Sequence, residues 1–383
     1  MRNVKIGIIG CGVISNTYMK EIKRLYKELD IIACADVDVK CANSQAKKYD
    51  IPIGCTVDEL LAIKEIEIVV NLTPPRFHSE INKKILLAGK HVFCEKPFAM
   101  TLEEAQATVT LAKEHNLLVA SAPDTFMGSS LQTCRKVIDD NWIGKPLYVT
   151  ANMMSAGVET WHPSPEAFYQ EGGGPLCDMG PYYFSALIAL FGSIKEIVAF
   201  SGKGFDNREI YVGDRKGQNI MVEVPTHYAG IIRMNNGMIV NLNISFDIWH
   251  STLPLFEVYG TEGTLKVPDP NMSGGRLAIY RKEQFLDILY DDSELTKQHR
   301  EDSVEIPELY PYVGKYTRGY GVLDLAYAVV DKTKQRCGAD TTCHIVEAIS
   351  GMMESAQSGK VYQMKTNCDR PIAIELGISA GKL

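Results

Sequence analysis

Three features of the sequence predict an α/β protein with two domains. Residues 4–15, VKIGIIGCGVIS, combine an apolar strand pattern, a glycine turn and the start of a helical pattern. Strand and helix patterns then alternate up to residue 121, which predicts a doubly wound parallel sheet. Beyond that point, short strand patterns joined by tight turns predict a large open sheet that is mainly antiparallel. The predicted domains are therefore residues 1–121 and 122–383.

Composition and charge argue against several classes of function. The net charge is −7 and there is no basic run, so neither nucleic acid nor an anionic membrane is an expected partner. No apolar stretch reaches membrane-spanning length. We expect no signal peptide, because the first strand begins by about residue 3. The ten cysteines form no C-x-x-C pair and no zinc-type spacing. We therefore expect no metal site, and free thiols in a cytoplasmic protein.

The glycine turn predicts a dinucleotide-binding Rossmann domain. Gly10 allows a tight turn, and Gly12 lets the backbone approach a pyrophosphate. The helix that follows, over residues 15–29, offers free N–H groups to that anion. The third glycine of the G-x-G-x-x-G motif is replaced by Ser15, a residue still small enough for close packing. Val13 and Ile14 complete the predicted cofactor contacts of this turn.

An acid at the end of the second strand pattern predicts NAD rather than NADP. Asp36 lies 24 residues beyond Gly12, near the spacing expected for the carboxylate that binds the adenosine ribose. That carboxylate would repel a 2′-phosphate, and no arginine or lysine follows before Lys40. The alternative is that Asp36 or Asp38 only caps the helix over residues 39–49.

Two further strand ends carry polar turns. Thr73 and Pro74 follow the strand over residues 66–71, and the helix over residues 78–88 comes next. Glu95-Lys96-Pro97 follows the strand over residues 91–94. Because Pro97 keeps Lys96 out of a helical conformation, the lysine side chain is expected to project from the sheet edge. The alternative is a surface ion pair between Glu95 and Lys96. The helix over residues 102–115 and the strand over residues 117–121 complete this half.

The second half contains two candidate site segments. Trp161 and His162 lie in an irregular loop, which is either a wall of a substrate site or a packed aromatic loop. Asp178 and Tyr182 are four residues apart, on one side of a helix that follows three glycines and ends at residue 191. The alternatives are a helix cap for Asp178 and a core position for Tyr182.

The remaining elements outline the second sheet. The charged residues 291–305 are expected to be exposed, and helices are expected from about residue 318 and over residues 344–355. Six strands are predicted at residues 196–200, 221–224, 226–234, 238–246, 255–259 and 263–267. A sheet of this kind has one face to cover.

These motifs together resemble the glucose–fructose oxidoreductase / inositol dehydrogenase family (Gfo/Idh/MocA). The resemblance rests on G-x-G-x-x-S, the acid after the second strand, Thr-Pro-Pro-x-x-His and Glu-Lys-Pro, and it continues through the second half. It implies an NAD(P)-binding Rossmann domain, followed by a substrate-binding and oligomerisation domain with a large open, mainly antiparallel sheet. It also implies action on sugars, cyclitols or related alcohols. In the family a partner subunit commonly covers the sheet, so we expect a homodimer or homotetramer formed through it.

The resemblance also assigns roles to residues. The lysine of Glu-Lys-Pro lies beside the nicotinamide and the substrate hydroxyl in the family, which assigns that place to Lys96. The family motif in the second half keeps its acid as Asp178, but Tyr182 replaces the usual histidine and Ser185 replaces the last acid. Some members use tyrosine as the acid–base group at this position, which assigns that role to Tyr182. The predicted set comprises the catalytic residues Lys96, Asp178 and Tyr182, the cofactor contacts Gly10, Gly12, Val13, Ile14, Asp36, Thr73, Pro74, His78, Glu95 and Lys96, and the substrate contacts Trp161, His162, Lys96, Asp178 and Tyr182.

The expected function is an NAD-dependent oxidoreductase that transfers a hydride between nicotinamide and a hydroxyl or keto carbon of a sugar, cyclitol or glycoside. Tyr182 exchanges the hydroxyl proton, Lys96 lowers the pKa of Tyr182, and Asp178 orients the sugar ring. Two alternatives remain open: a redox-neutral glycosidase that returns the hydride to the same NAD, and a non-catalytic NAD-sensing regulator.

Overall fold

The glycine-turn strand lies inside a six-stranded parallel sheet. The computed structural model describes residues 2–284, 303–379 and 381–382. The strands of the first sheet are β1 Val4–Ile9, β2 Leu29–Ala35, β3 Ile53–Cys55, β4 Ile68–Asn71, β5 His91–Cys94 and β6 Val119–Ser121. Their order is β3-β2-β1-β4-β5-β6. Strands β2 and β3 are added on one side of β1, and β4, β5 and β6 on the other, so the topological switch point lies between β1 and β4. Ligands of such sheets bind at this switch point, beyond the carboxyl ends of the strands.

Five helices connect these strands: α1 Ser15–Leu25, α2 Val39–Lys48, α3 Val57–Ala62, α4 His78–Leu87 and α5 Leu102–Glu114. Helix α1 ends four residues before the predicted bound, because β2 already begins at Leu29. Helix α3 begins at Val57, where Thr56 and Glu59 form a reciprocal capping box. Strand β3 was not predicted, since three residues are too few for a clear pattern.

Among the described residues, the second sheet has nine strands and is antiparallel except for one pair. Its strands are β7 Pro146–Met154, β8 Ile194–Gly202, β11 His227–Met234, β12 Ile239–Ser245, β13 Phe256–Gly260, β14 Gly263–Lys266, β15 Leu277–Arg281, β16 Val304–Ile306 and β17 Tyr362–Gln363. The order is β16-β15-β14-β13-β7-β12-β11-β8-β17, and only β7 and β12 run parallel. A short hairpin, β9 Asn207–Glu209 with β10 Asn219–Met221, lies apart from this sheet. The predicted fold class of both halves is confirmed.

The described part of the second half also contains four longer helices: α6 Ser129–Asp139, α7 Gly174–Phe191, α8 Tyr320–Asp331 and α9 Ala339–Ser358. Helix α7 packs against β11 and β12, and α9 packs against β8, so both cover one face of the sheet. Helix α8 contacts β5 and β6 of the first sheet, as expected for the helix predicted to begin near residue 318. Ser121 ends β6, close to the predicted boundary at residues 121/122, which stays a prediction.

The other face of the second sheet is open over its central strands. Ile239 lies opposite both Tyr148 and Arg233, and Phe200 lies opposite Ala229 in the strand ladder. Ile231 is on the same face, and its side chain is 44% exposed. Large apolar side chains therefore alternate with polar ones on a surface that no helix of the described chain covers.

Several sequence expectations need correction or lie outside the described residues. Of the strand predicted over residues 221–224, only Met221 lies in a strand, at the end of β10 in the short hairpin. Strands β15, β16 and β17 were not predicted. Of the charged stretch 291–305, residues 291–302 lie outside the described residues. All ten cysteines are free thiols, nine of them buried. Within the described ranges, no helix is long and apolar enough to cross a membrane.

A buried carboxylate joins α9 to the chain segment that follows it. Glu347 is fully buried and accepts hydrogen bonds from the N–H groups of Lys365 (2.6 Å) and Thr366 (2.7 Å) and from the Tyr362 hydroxyl (3.0 Å). Burial opposes its charge, but these hydrogen bonds outweigh burial and lower the pKa of Glu347. Residues of α9, including Ile345 and Ile349, line the small cavity beside Lys96, so this anchor also supports the site.

We expect Glu347→Gln to lower the free energy of unfolding by about 2 kcal/mol at pH 7, because charge-assisted hydrogen bonds are lost. A carboxylate whose folded-state pKa is depressed contributes stability above its unfolded pKa and loses it as pH falls through the folded pKa. The difference between wild type and variant should therefore shrink below about pH 4.5. Urea unfolding between pH 3 and pH 8 measures it. Glu354→Gln, at an exposed position of the same helix, is the control and should show no such pH-dependent loss.

Candidate functional site

The glycine turn has the geometry that a bound pyrophosphate needs. Gly10 has φ = +96°, and a Cβ there would lie 2.6 Å from the backbone of Leu72, so only glycine fits. A Cβ on Gly12 would meet no atom within 4 Å, which leaves open space above the turn. Val13 is 87% exposed beside it. Ser15 is fully buried and donates to the Gly12 carbonyl (2.6 Å), so it holds the turn from below.

The acid after β2 is tied to this turn. Asp36 Oδ2 accepts a hydrogen bond from the Cys11 N–H (2.8 Å), and Oδ1 accepts one from the Asp38 N–H (3.0 Å). The cap of α2 is Asp38, whose side chain accepts from the Lys40 N–H (3.0 Å). The alternative role of Asp36 as a helix cap is therefore wrong. Each oxygen of Asp36 has a further lone pair available for a ribose hydroxyl.

The turn after β4 is held by its own strand and by a buried histidine. Thr73 donates from its N–H (3.1 Å) and its hydroxyl (2.7 Å) to Asn71 Oδ1. His78 is fully buried, with Nε2 2.7 Å from the Thr73 carbonyl oxygen and Nδ1 2.6 Å from the Pro97 carbonyl oxygen. Both ring nitrogens are thus engaged by the protein. His78 joins the Thr-Pro-Pro turn to the Glu-Lys-Pro turn from beneath, whereas Pro74 is exposed on the surface.

Lys96 reaches from the first sheet to a helix of the second domain. Its Nζ donates to Asp178 Oδ1 (2.7 Å) and to the Asp178 carbonyl oxygen (2.8 Å). Both side chains are mostly buried, at 16% and 20% exposure. Burial disfavours the ammonium, but Asp178, Tyr182 and Glu95 outweigh it, so the pKa of Lys96 is raised above its usual range. The alternative of a Glu95–Lys96 surface ion pair is therefore wrong.

Glu95 anchors the other side of the same turn. Its Oε2 accepts from the Lys96 N–H (2.8 Å), and its Oε1 accepts from the Tyr18 hydroxyl on α1 (2.8 Å). Its side chain is buried below the sheet edge. Both carboxylate oxygens are therefore used in holding the Lys96 backbone, and α1 is linked to that backbone through Tyr18.

Helix α7 brings the two other predicted catalytic residues to Lys96. The cap residue of α7 is Gly173, and Asp178 lies within the helix, so the alternative of an Asp178 cap is wrong. The Lys96 ammonium lies 5.2 Å from the centre of the Tyr182 ring. Gly172 and Gly174 have φ values of +82° and +86°, and a Cβ on Gly173 would lie 2.4 Å from the Ala167 carbonyl oxygen. The three glycines thus allow the tight entry into α7.

Tyr182 is nearly enclosed, with 6% of its surface exposed. Burial is the largest influence on its phenol and raises its pKa, whereas Lys96 and Arg318 lower that pKa in part. The expected lowering by Lys96 is present, but burial outweighs it. Tyr182 is therefore a neutral phenol at neutral pH. Among the described residues, no acceptor for its phenolic proton is found.

Arg318 is a site neighbour that sequence reasoning missed. Its Nη2 donates to the Tyr182 hydroxyl oxygen at 3.4 Å, and its guanidinium lies 5.6 Å from the centre of the Tyr182 ring. In the sequence, Arg318 precedes Gly319 at the start of a helix, about 140 residues after Tyr182. No local pattern reports that its side chain turns inward.

The aromatic loop is fixed by a buried charge cluster. Trp161 is 62% exposed, and its ring lies 5.4 Å from that of His162, which accepts from the Ser164 N–H (3.1 Å). Glu159 in this loop pairs with Arg208 of β9 (2.7 Å). No hydrogen bond or ring contact in the described structure joins Trp161 or His162 to the Lys96 cluster. Their contact with substrate remains a prediction.

The residues at the sheet edge fit NAD. The open turn at Gly12 and the start of α1 suit a pyrophosphate, and Asp36 lies beside them with acceptor capacity for a ribose. The turns after β1, β4 and β5 belong to adjacent strands, so Gly12, Thr73 and Lys96 lie along one edge. A nicotinamide bound across this edge would extend towards Lys96.

The chain matches known proteins over most of its length. Residues 4–122 match the family described as an oxidoreductase family with an NAD-binding Rossmann fold, and residues 131–266 match the Gfo/Idh/MocA C-terminal domain. An uncharacterized oxidoreductase of Schizosaccharomyces pombe is 30% identical over 206 residues, which cover 52% of this chain and 55% of that protein. The chain thus spans about half the length of this relative.

Two further comparisons concern proteins with named substrates. D-glucoside 3-dehydrogenase of Escherichia coli is 27% identical over 252 residues, covering 63% of this chain and 70% of that protein. A structure of levoglucosan dehydrogenase in complex with NADH has a TM-score of 0.75 at 18% identity, covering 95% of this chain and 100% of that one. The latter shows a shared fold. With both domains matched, the chain belongs to the Gfo/Idh/MocA family, and its first domain is an NAD-binding Rossmann fold.

Proposed function

We propose that the protein is an NAD-dependent oxidoreductase that interconverts a hydroxyl and a keto group on a sugar, cyclitol or glycoside. The observation that carries the proposal is the cluster at the sheet edge, where Lys96 is paired with Asp178 (2.7 Å) beside the Tyr182 ring (5.2 Å). A lysine, a carboxylate and a phenol are the groups needed to bind a hydroxyl and move its proton. The glucoside dehydrogenase among the relatives supports a sugar-like substrate.

Each residue has a separate role in this proposal. NAD, when bound, supplies the hydride acceptor, so that the substrate carbon loses a hydride and its hydroxyl loses a proton. Tyr182 accepts that proton during oxidation and donates it during reduction. Lys96 holds the substrate oxygen and stabilises negative charge on it or on Tyr182. Asp178 orients Lys96 and accepts a hydrogen bond from the sugar ring.

The protonation state of Tyr182 favours reduction at neutral pH. Because burial raises the pKa of this phenol, the neutral form that donates a proton is the form present. Oxidation needs the phenolate and therefore gains rate as the pH rises. NAD is proposed over NADP because Asp36 presents negative charge beside the glycine turn.

We expect NADH to accumulate beyond one equivalent per site when the protein and NAD are mixed with the correct member of a panel of cyclitols, aldoses and glycosides. Quenched-flow sampling of free and bound NADH measures this. A transient of at most one equivalent, with release of an aglycone, would instead identify a redox-neutral glycosidase. If NAD binds but no compound exchanges a hydride with it in either direction, both the dehydrogenase and the glycosidase are contradicted. An NAD-sensing regulator is then favoured.

Tyr182→Phe is the site variant for this assay, and Tyr183→Phe is its matched control. Tyr183 is the next residue of α7 and stacks on Phe256 in the core. Loss of the proton-transfer group should lower kcat by about 10²–10⁴-fold in Tyr182→Phe. Tyr183→Phe should keep kcat within about threefold, because its ring packing is retained. Equal losses in both variants would argue against the assigned role.

We expect Asp36→Asn to weaken NAD binding by about tenfold, because a charge-assisted hydrogen bond to the ribose is lost. NADP binding should weaken less or improve, because the repulsion of its 2′-phosphate is also lost. Calorimetric titration of both nucleotides measures the change. The control is Asp38→Asn, which removes the same charge two residues away and keeps a good helix cap. An equal effect of both variants on both nucleotides would contradict the role of Asp36.

We also propose a homodimer or homotetramer that covers the open face of the second sheet. Ile231→Asp places a charge at the centre of that face and should give monomers. Light scattering coupled to size-exclusion chromatography measures the mass. Ile53→Asp, at an isoleucine of similar exposure (40%) on β3, is the control and should leave the assembly intact. A monomeric wild type would refute the proposal.

A further inference from the structure

We propose that Arg318 is a positioning residue of the candidate site: its guanidinium holds the Tyr182 phenol in place and supplies positive charge that favours proton transfer from a substrate hydroxyl to Tyr182. This inference rests on the proposed function and adds a residue to it. Arg318 comes from the segment before α8, far from the glycine turn, Lys96 and α7 in the chain.

The guanidinium of Arg318 lies in direct contact with the Tyr182 side chain. One guanidinium nitrogen, Nη2, donates to the Tyr182 hydroxyl oxygen (3.4 Å) and to Asn271 Oδ1 (2.9 Å). The guanidinium lies 5.6 Å from the Tyr182 ring centre and 4.2 Å from that of Tyr316. Lys96 lies 5.2 Å from the same Tyr182 ring. Two cations from different domains therefore flank one phenol.

The charge of Arg318 is not neutralised by a direct ion pair. It is 1% exposed, and its described hydrogen-bond partners are the carbonyls of Thr317 and Asn271, the Asn271 side chain and the Tyr182 hydroxyl, all uncharged. No carboxylate in the described ranges forms an ion pair with it. Asp124 and Glu95 favour the charge of Arg318 without touching it. A buried guanidinium with no carboxylate in contact is costly to maintain, and negative charge developing on Tyr182 would offset that cost.

A second buried arginine shows the contrast within the same protein. Arg208 also lies against a tyrosine, with its guanidinium 5.6 Å from the Tyr169 ring centre. It pairs with the carboxylates of Glu159 (2.7 Å) and Asp247, which together balance its charge. Arg208 therefore has the arrangement expected of an arginine that only joins structural elements. Arg318 lacks the carboxylates and has the candidate proton-transfer group in their place.

The backbone around Arg318 is fixed on both sides. Asp124 is fully buried and accepts from the N–H groups of Gly319 (2.8 Å) and Gly321 (3.0 Å). On the other side, Ser273 donates to the Thr317 carbonyl (2.8 Å). Because the chain is held immediately before and after Arg318, the guanidinium has little freedom to leave Tyr182, as a preorganised group requires.

The charged groups that face Tyr182 act in opposite directions. Lys96, from the turn after β5, and Arg318, from the segment before α8, favour the phenolate. Glu95, beside Lys96, and Asp178, on α7 itself, oppose it, and burial opposes it most. Removing Arg318 leaves Lys96 as the only cation among these four groups. The pKa of Tyr182 must then rise, and oxidation must need a more alkaline solution.

The test measures the titration of Tyr182 by ¹³C NMR of protein labelled at tyrosine Cζ, with the Tyr182 signal assigned from Tyr182→Phe. We expect Arg318→Met to move the Tyr182 midpoint upward by about one pH unit or more, the shift typical of a lost opposite charge at this distance. Arg318→Lys, which keeps the charge, should show a smaller shift. The control is Arg336→Met, which removes a partly buried arginine that is paired with Asp324 (2.8 Å), and it should leave the midpoint unchanged.

Kinetics give the second readout. In the oxidation direction, the alkaline rise of kcat/KM should move with the Tyr182 midpoint in Arg318→Met and be partly restored in Arg318→Lys. In a Tyr182→Phe background, Arg318→Met should cost little further activity, because Arg318 acts through Tyr182. If Arg318→Met does not fold, Asn271→Ala, which removes an anchor of the guanidinium, should still raise the midpoint.

The two proposals fail separately. The NMR titration needs no turnover, so an unchanged Tyr182 midpoint in Arg318→Met overturns the role of Arg318 even in an active enzyme. An equal activity loss from Arg318→Met with and without Tyr182 would do the same. Absence of any hydride transfer would overturn the proposed function without altering the titration result.

Discussion

The buried pair between Lys96 and Asp178 is the contact on which the candidate site depends. It joins the turn after β5 to α7 of the second domain, and the ammonium also donates to the Asp178 carbonyl oxygen. Removing one partner of such a pair leaves an uncompensated buried charge, which typically costs about 3–5 kcal/mol. The pair thus sets where the second domain presents Tyr182 to the cofactor edge.

Most of the hydrogen bonds around this pair fix the position of the backbone. Glu95 and Tyr18 fix the Lys96 turn, and His78 joins it to Thr73. Asp124 fixes the chain on which Arg318 lies. Few of these groups are available to a ligand. Their effect is to keep the ammonium, the phenol and the guanidinium at set distances, so that little reorganisation is needed when charge moves during a reaction.

Local sequence patterns predicted much of the fold because they report burial and turn chemistry directly. Strand β5 appears at its predicted bounds, and β11 and β12 lie within the strands predicted over residues 226–234 and 238–246. Strand β15 and the edge strands β3, β16 and β17 were missed because each has five residues or fewer. Such segments are held by their neighbours in the sheet and carry little pattern of their own.

By itself, the sequence determined the βα order, the glycine turn and the acid after β2. It also selected Lys96, Asp178 and Tyr182 as candidate site residues, since each lies in a recognisable local motif. Only the tertiary structure decided how those groups are paired and which others join them. It bonded Lys96 to Asp178 rather than to Glu95, enclosed both nitrogens of His78, and brought Arg318 to Tyr182. The reason is that pKa values and hydrogen-bond partners depend on burial and on distances between segments far apart in the chain.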